Sequence, residues 1–90
     1  MLECRITIVN TLGLHARAAA KLVRLAGTFR CRITLKREDS GLTANAKSIL
    51  SLLHLAAGRN VSISIIADGD DEQAAIAALK NLFLEGFGEM

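Results

Sequence analysis

Three segments of this chain alternate apolar and polar side chains with a period of two. Cys4, Ile6 and Ile8 alternate with Glu3, Arg5 and Thr7; Cys31, Ile33 and Leu35 with Arg30, Arg32, Thr34 and Lys36; Val61, Ile63 and Ile65 with Asn60, Ser62 and Ser64. Successive side chains of a strand point to opposite faces, so each segment reads as a strand buried on one side and wet on the other. Strands of that kind belong to an antiparallel sheet covered on one face only. Whatever covers it must come from the segments in between.

Those segments carry helical spacing. From Ala16 onward, Ala19, Leu22, Val23 and Ala26 fall on one stripe, and Gly27 is a candidate C-cap. Glu38-Asp39-Ser40-Gly41 reads as a tight turn into a short third strand around Leu42 and Thr43. A second helix is expected over 46–57, with Asn45 as N-cap and Gly58 as its stop. Its Ile49, Leu50, Leu52, Leu53 and Leu55 offer more apolar surface than one buried face requires. Asp68-Gly69-Asp70-Asp71 supplies a turn and an acidic start for a last helix, which carries Ala75, Ile76, Leu79, Leu82 and Phe83 and ends near Gly86. The order is βαββαβα. It defines an α+β fold, an open-faced two-layer β-sandwich whose four-stranded antiparallel sheet is covered on one face by three helices, as a single domain over 1–90.

Composition narrows the function classes. Hydrophobic residues form 51% of the chain and charged residues 22%, a balance that supports a packed core and argues against disorder. Three Phe, with no Trp or Tyr, give little platform for stacking bases, and a net charge of +2 is too mild for a dedicated polyanion binder, so no nucleic-acid partner is expected. A small RNA-binding or interaction module using Arg5, Arg30, Arg32 and Lys36 on the open sheet face is the lesser alternative. Cys4 and Cys31 lack C-x-x-C spacing, and if the fourth strand lies between theirs they are too far apart for a disulfide, so both are expected as buried thiols on the core side. No apolar stretch is long enough to span a membrane and no signal segment opens the chain, which points to a cytoplasmic protein without membrane insertion. The G-x-G-x-x-G, G-x-x-x-x-G-K and H-E-x-x-H patterns are absent, so neither cofactor nor metal is expected.

The chemistry concentrates at Gly13-Leu14-His15-Ala16-Arg17, where a loop hands over to the first helix. A lone histidine in a loop is more often a polar cap than a reactive group, but these neighbours shift the balance. Imidazole titrates near neutrality, and the first helical turn offers unpaired N–H groups and the positive dipole end to a phosphoryl group on the ring. Gly13 permits a tight turn, Ala16, Ala18 and Ala19 leave room for a partner, and Arg17 can place a guanidinium beside phosphate oxygens. Ser48 falls in the first turn of the second helix; a phosphate there would set negative charge beside Ile49, Leu50 and Leu53 and disable a docking surface without unfolding the chain. His54, among leucines with no ligand at helical spacing, receives no function. One nucleophile and no enclosed pocket suit a stoichiometric carrier of phosphoryl groups, not an enzyme that turns over small molecules.

On these residues the chain resembles the HPr family, the histidine-containing phosphocarriers of the bacterial phosphoenolpyruvate:sugar phosphotransferase system. The phosphorylation-site pattern is Gly13-Leu14-His15-Ala16-Arg17, the second signature is Asn45-Ala46-Lys47-Ser48-Ile49-Leu50, and the ending is Phe87-Gly88-Glu89. The resemblance implies that His15 takes a phosphoryl group on Nδ1 from the phosphohistidine of enzyme I, with help from Arg17, and passes it to an enzyme IIA protein or domain. It implies that Ser48 is the serine modified by an HPr kinase/phosphorylase, and that Leu12, Leu14, Arg24, Ile49, Leu50 and Leu53 form the partner-docking patch. A histidine that must dock on two partners suggests a monomer. The family often has proline after the arginine, where this chain has Ala18, an excellent helix former that keeps the helix start intact. The departure leaves both a sugar branch and a nitrogen-related regulatory branch open.

Overall fold

The computed structural model describes residues 1–89. Strands β1 (Leu2–Thr7), β2 (Arg32–Arg37), β3 (Thr43–Asn45) and β4 (Ser62–Asp68) and helices α1 (Ala16–Ala26), α2 (Ile49–Leu55) and α3 (Glu72–Leu84) follow the expected order, and a single 3₁₀ turn, Gly86–Gly88, comes after α3. The sheet order is β1-β4-β2-β3 with every neighbouring pair antiparallel. β1 and β2 therefore run parallel with β4 inserted between them, and α1 is the crossover that joins them.

The register explains which face is covered. Ile6 stands opposite Ile63, Ile65 opposite both Cys4 and Leu35, and Ile33 opposite Ala67, so the apolar members of three strands share one face. Leu22 of α1, Leu52 and Leu55 of α2, and Leu79 and Phe83 of α3 complete the same buried cluster. Burying a side chain of that size fully stabilises the fold by about 2 kcal/mol relative to leaving it in water. On the open face Arg5, Ser64, Lys36 and Thr43 form a row across the four strands. Ser64 is nevertheless buried, because the Glu38 carboxylate folds over it, accepting from its hydroxyl and from Arg5 Nε at 3.2 Å. Glu38 is thus a bridge, not the plain surface charge its position suggests.

Several boundaries differ from the sequence reading. α2 starts at Ile49, not near Ala46, because Asn45 is still the last residue of β3 and Ala46 N–H still donates to Ile33 O at 3.0 Å. Asn45 Oδ1 accepts from Lys47 N–H at 2.9 Å, a local turn that competes with coiling, and Ser48 caps the helix instead, its Oγ accepting from Ser51 N–H at 3.2 Å. At its other end α2 stops on Ala56 in the left-handed conformation, φ 51°, and Arg37 Nη1 donates to the Leu55 and Ala56 carbonyls at 3.0 Å each. Gly27 does follow α1, but in the right-handed conformation, with its N–H on Val23 O at 2.9 Å. Asp71 precedes α3 without capping it; its carboxylate accepts from Arg30 N–H at 2.7 Å and Cys31 N–H at 2.9 Å and ties the start of α3 to the start of β2. Both cysteines are free thiols; Cys31 is buried as expected, whereas Cys4, on the edge strand β1, is only half-buried.

Candidate functional site

The loop from β1 to α1 is pinned at the end of the sheet where β4 begins. Ile8 N–H donates to Val61 O at 3.0 Å, Asn60 N–H to Ile8 O at 2.8 Å, and Leu14 N–H to Ala57 O at 2.9 Å. Gly13 has φ +65°, and a Cβ on it would stand 2.6 Å from both Ala57 O and Gly58 Cα. Glycine is required there on both counts.

This loop delivers His15 as the N-cap of α1, with extended backbone at φ −79° and ψ −178°. Its carbonyl accepts from Ala19 N–H at 2.8 Å, the first bond of the helix. Its ring closes the cap: Nδ1 accepts from Arg17 N–H at 3.3 Å. Nε2 faces the Glu89 carboxylate, 2.8 Å from Oε1 and 3.0 Å from Oε2. A nitrogen that accepts from a backbone N–H carries a lone pair, and a nitrogen facing a carboxylate carries a proton, so this geometry assigns the neutral ring to the Nε2–H tautomer. In that tautomer the free lone pair is on Nδ1.

Beneath the ring lies a short polar chain. Asn10, 1% exposed, donates from Nδ2 to Glu89 Oε1 at 2.7 Å and to Gly13 O at 2.8 Å, while its Oδ1 is buried with no partner among the described residues. These donors, Asn10 first and His15 second, hold the Glu89 carboxyl below the usual carboxylate range. Glu89 is brought here by the residues before it. Phe87 is buried against Phe83 in an edge-to-face contact at 5.0 Å, and Lys21 Nζ of α1 donates to Phe87 O at 2.6 Å. Glu89 and Asn10 join the site although the sequence does not single them out: Glu89 enters it only within the ending Phe87-Gly88-Glu89, and no local pattern marks Asn10.

The other expected residues distribute as follows. Arg17 is exposed in the first turn of α1, and among the described residues its guanidinium has no hydrogen-bond partner. Ser48 is the N-cap of α2, not a first-turn residue. Leu12, Leu50, Ile49 and Leu53 are exposed at 68%, 79%, 41% and 38%, and Arg24 is exposed in the last turn of α1, which packs beside α2. Leu14 does not share that surface: at 4% exposed it is a core residue, because the hydrogen bond of its N–H to Ala57 turns its side chain under the loop. A groove of about 800 Å³ runs elsewhere, lined by Arg30, Arg32, Thr34, Asn45 and Lys47, with neither His15 nor Arg17 in its wall. Among the described residues no group of His, Cys, Asp and Glu could hold a metal ion, and no helix is long and apolar enough to cross a membrane.

The architecture is an open-faced two-layer α+β sandwich whose first helix is capped by a histidine. The chain superposes over its whole length on 99% of HPr-C-His from Thermoanaerobacter tengcongensis, with a TM-score of 0.92 and 39% identity. Residues 2–85 match the family model described as the PTS HPr component phosphorylation site, and the chain belongs to this HPr phosphocarrier family of the phosphotransferase system. Among its relatives are the phosphocarrier protein HPr of Cupriavidus necator, 46% identical over 99% of this chain and 98% of that one, and the phosphocarrier protein NPr of Proteus mirabilis, 42% identical over 94% and 93%.

Proposed function

We propose that this chain, as one unit over 1–90, accepts a phosphoryl group on His15 Nδ1 from the phosphohistidine of enzyme I and hands it to an enzyme IIA protein or domain. The observation that carries the reading is the geometry of the ring: a histidine at a helix N-terminus, its Nδ1 placed to accept from Arg17 N–H and its Nε2 facing the Glu89 carboxylate, which suits a lone pair on Nδ1 and a proton on Nε2. Nδ1 attacks phosphorus while the donor's N–P bond breaks and that electron pair returns to the donor ring. The transferred group meets the N-terminal end of an eleven-residue helix, whose dipole and first-turn N–H groups favour an anion. Arg17, free to swing, adds a guanidinium to the phosphoryl oxygens as they change partners.

Leu12, Ile49, Leu50 and Leu53, with Arg24, form the docking patch beside the histidine. Exposed leucines grouped next to a reactive residue fit a surface that must be covered in turn by different proteins. Ser48 sits at the edge of this patch, where an HPr kinase/phosphorylase would place a phosphate against Ile49 and Leu50 and weaken docking. The chain acts as a cytoplasmic monomer, since both partners need the same histidine. A nitrogen-related branch is the second reading, left open by Ala18 in the place where the family often has proline; the chemistry is the same and only the acceptor IIA differs. The open sheet face offers no stacking platform for RNA, because Phe83 and Phe87 are in the core and Phe29 packs against it.

The test is incubation with enzyme I and phosphoenolpyruvate. The protein gains the mass of one phosphoryl group, the label is lost in acid, and His15→Ala takes up none; an acid-stable label, or one that survives the substitution, contradicts the assignment.

A further inference from the structure

We propose that Glu89 is a positioning residue for phosphoryl transfer: its carboxylate, held against α1 by the C-terminal turn, fixes His15 as the Nε2–H tautomer and balances the charge the ring acquires when Nδ1 is phosphorylated. The inference rests on His15 being the acceptor. The bland alternative is a surface ion pair of little consequence, and three observations separate Glu89 from one. Both carboxylate oxygens lie within 3.0 Å of Nε2, and the side chains are 26% and 17% exposed, so solvent screens the pair only in part. The carboxylate has a second, buried donor in Asn10, which fixes its orientation from below. The segment that presents it is anchored by Phe87 in the core and by Lys21 on Phe87 O, so Glu89 is held in place and does not sample the ring from a loose end.

The electron count shows why a carboxylate belongs there. The Nδ1 lone pair forms the new N–P bond, the donor's N–P bond breaks, and no proton leaves His15. Because Nε2 keeps its proton, the ring becomes a phosphorylated imidazolium with one added positive charge. An anion 2.8 Å from Nε2 is strengthened by that change, and it is already ionised, since Asn10 and His15 hold its carboxyl below the usual range. Return of the phosphoryl group to an acceptor restores the neutral ring in the same tautomer. The carboxylate thus orients the ring in the resting state and stabilises it in the transferring state, without itself gaining the proton.

The experiment uses the full chain with ¹⁵N-labelled histidine and phosphorylated enzyme I as donor. Wild type is measured first, and failure of its His15 to take up phosphate contradicts the carrier reading and not this one. Given uptake, Glu89→Ala should show a mixture of ring tautomers in its ¹⁵N shifts and a transfer rate lower by about ten-fold, the scale of one lost charge-assisted hydrogen bond. Glu89→Gln, which can still accept from Nε2–H, should keep the tautomer but not the full rate. Tautomer populations and rates within two-fold of wild type in Glu89→Ala, with wild type active, overturn the proposal.

Discussion

Gly13 decides where His15 stands. Its φ of +65° and its 2.6 Å approach to Ala57 O leave no space for a β-carbon, so Gly13→Ala must shift either the loop or the α2–β4 connection. Left-handed strain and the clash together predict a loss of about 2 kcal/mol or more in denaturant unfolding, with slower phosphoryl uptake in the protein that remains folded. Wild-type stability in Gly13→Ala would mean that the loop is not held by this contact. The need for glycine was legible in the sequence as a turn before the histidine, and so was the histidine as a helix-start residue. The Glu89 contact was not. It joins residues 74 positions apart, and no local pattern encodes where the turn after α3 comes to rest. Leu14 shows the same limit from the other side, because one apolar residue in a loop looks alike in sequence whether it docks a partner or fills the core.

Strands were legible because alternation is a direct trace of a one-sided sheet, and β1, β2 and β4 lie where the period of two puts them. The start of α2 was not, since Asn45 and Ser48 are both good N-caps and only the pairing of Asn45 with Thr34 in the sheet takes the first out of contention. That correction sharpens the role of Ser48, whose hydroxyl holds the end of a helix carrying the docking leucines. Ser48→Ala should cost about 1 kcal/mol of stability and leave phosphoryl uptake intact. Ser48→Asp retains a capping oxygen, so it should melt close to wild type while uptake from enzyme I falls about ten-fold through charge placed beside the apolar patch. Equal uptake by Ser48→Asp and wild type would remove Ser48 from the account of docking.

Across the molecule, carboxylates serve as pins, some within a turn and some between elements. Glu38 is lowered chiefly by the Ser64 hydroxyl, Asp39 by Arg37, Asp71 by the Arg30 backbone N–H, Glu72 by the Gly69 backbone N–H and Glu89 by Asn10. A carboxyl whose folded pKa lies below its unfolded value adds stability that is fully present above the unfolded pKa and disappears as pH falls through the folded one. The melting temperature should therefore be nearly level from neutrality down to about pH 5 and drop below about pH 4, where unfolded carboxylates begin to bind protons. Calorimetric scans across that range check it, and a melting temperature constant into strong acid would show that these pins hold nothing. The fold class was readable at this level because a one-sided sheet admits few solutions in so short a chain. The bridges were not, since Glu38 and Asp71 gain their partners only when β4 and the start of β2 come alongside.

All three levels meet at one atom, the His15 Nδ1 that the Arg17 N–H and the Glu89 carboxylate leave bearing its lone pair. Nitrogen-15 NMR of the chain phosphorylated by enzyme I reads which ring nitrogen holds phosphorus. The expected result is phosphorus on Nδ1 with the proton retained on Nε2; phosphorus on Nε2, or on any residue other than His15, would contradict the account.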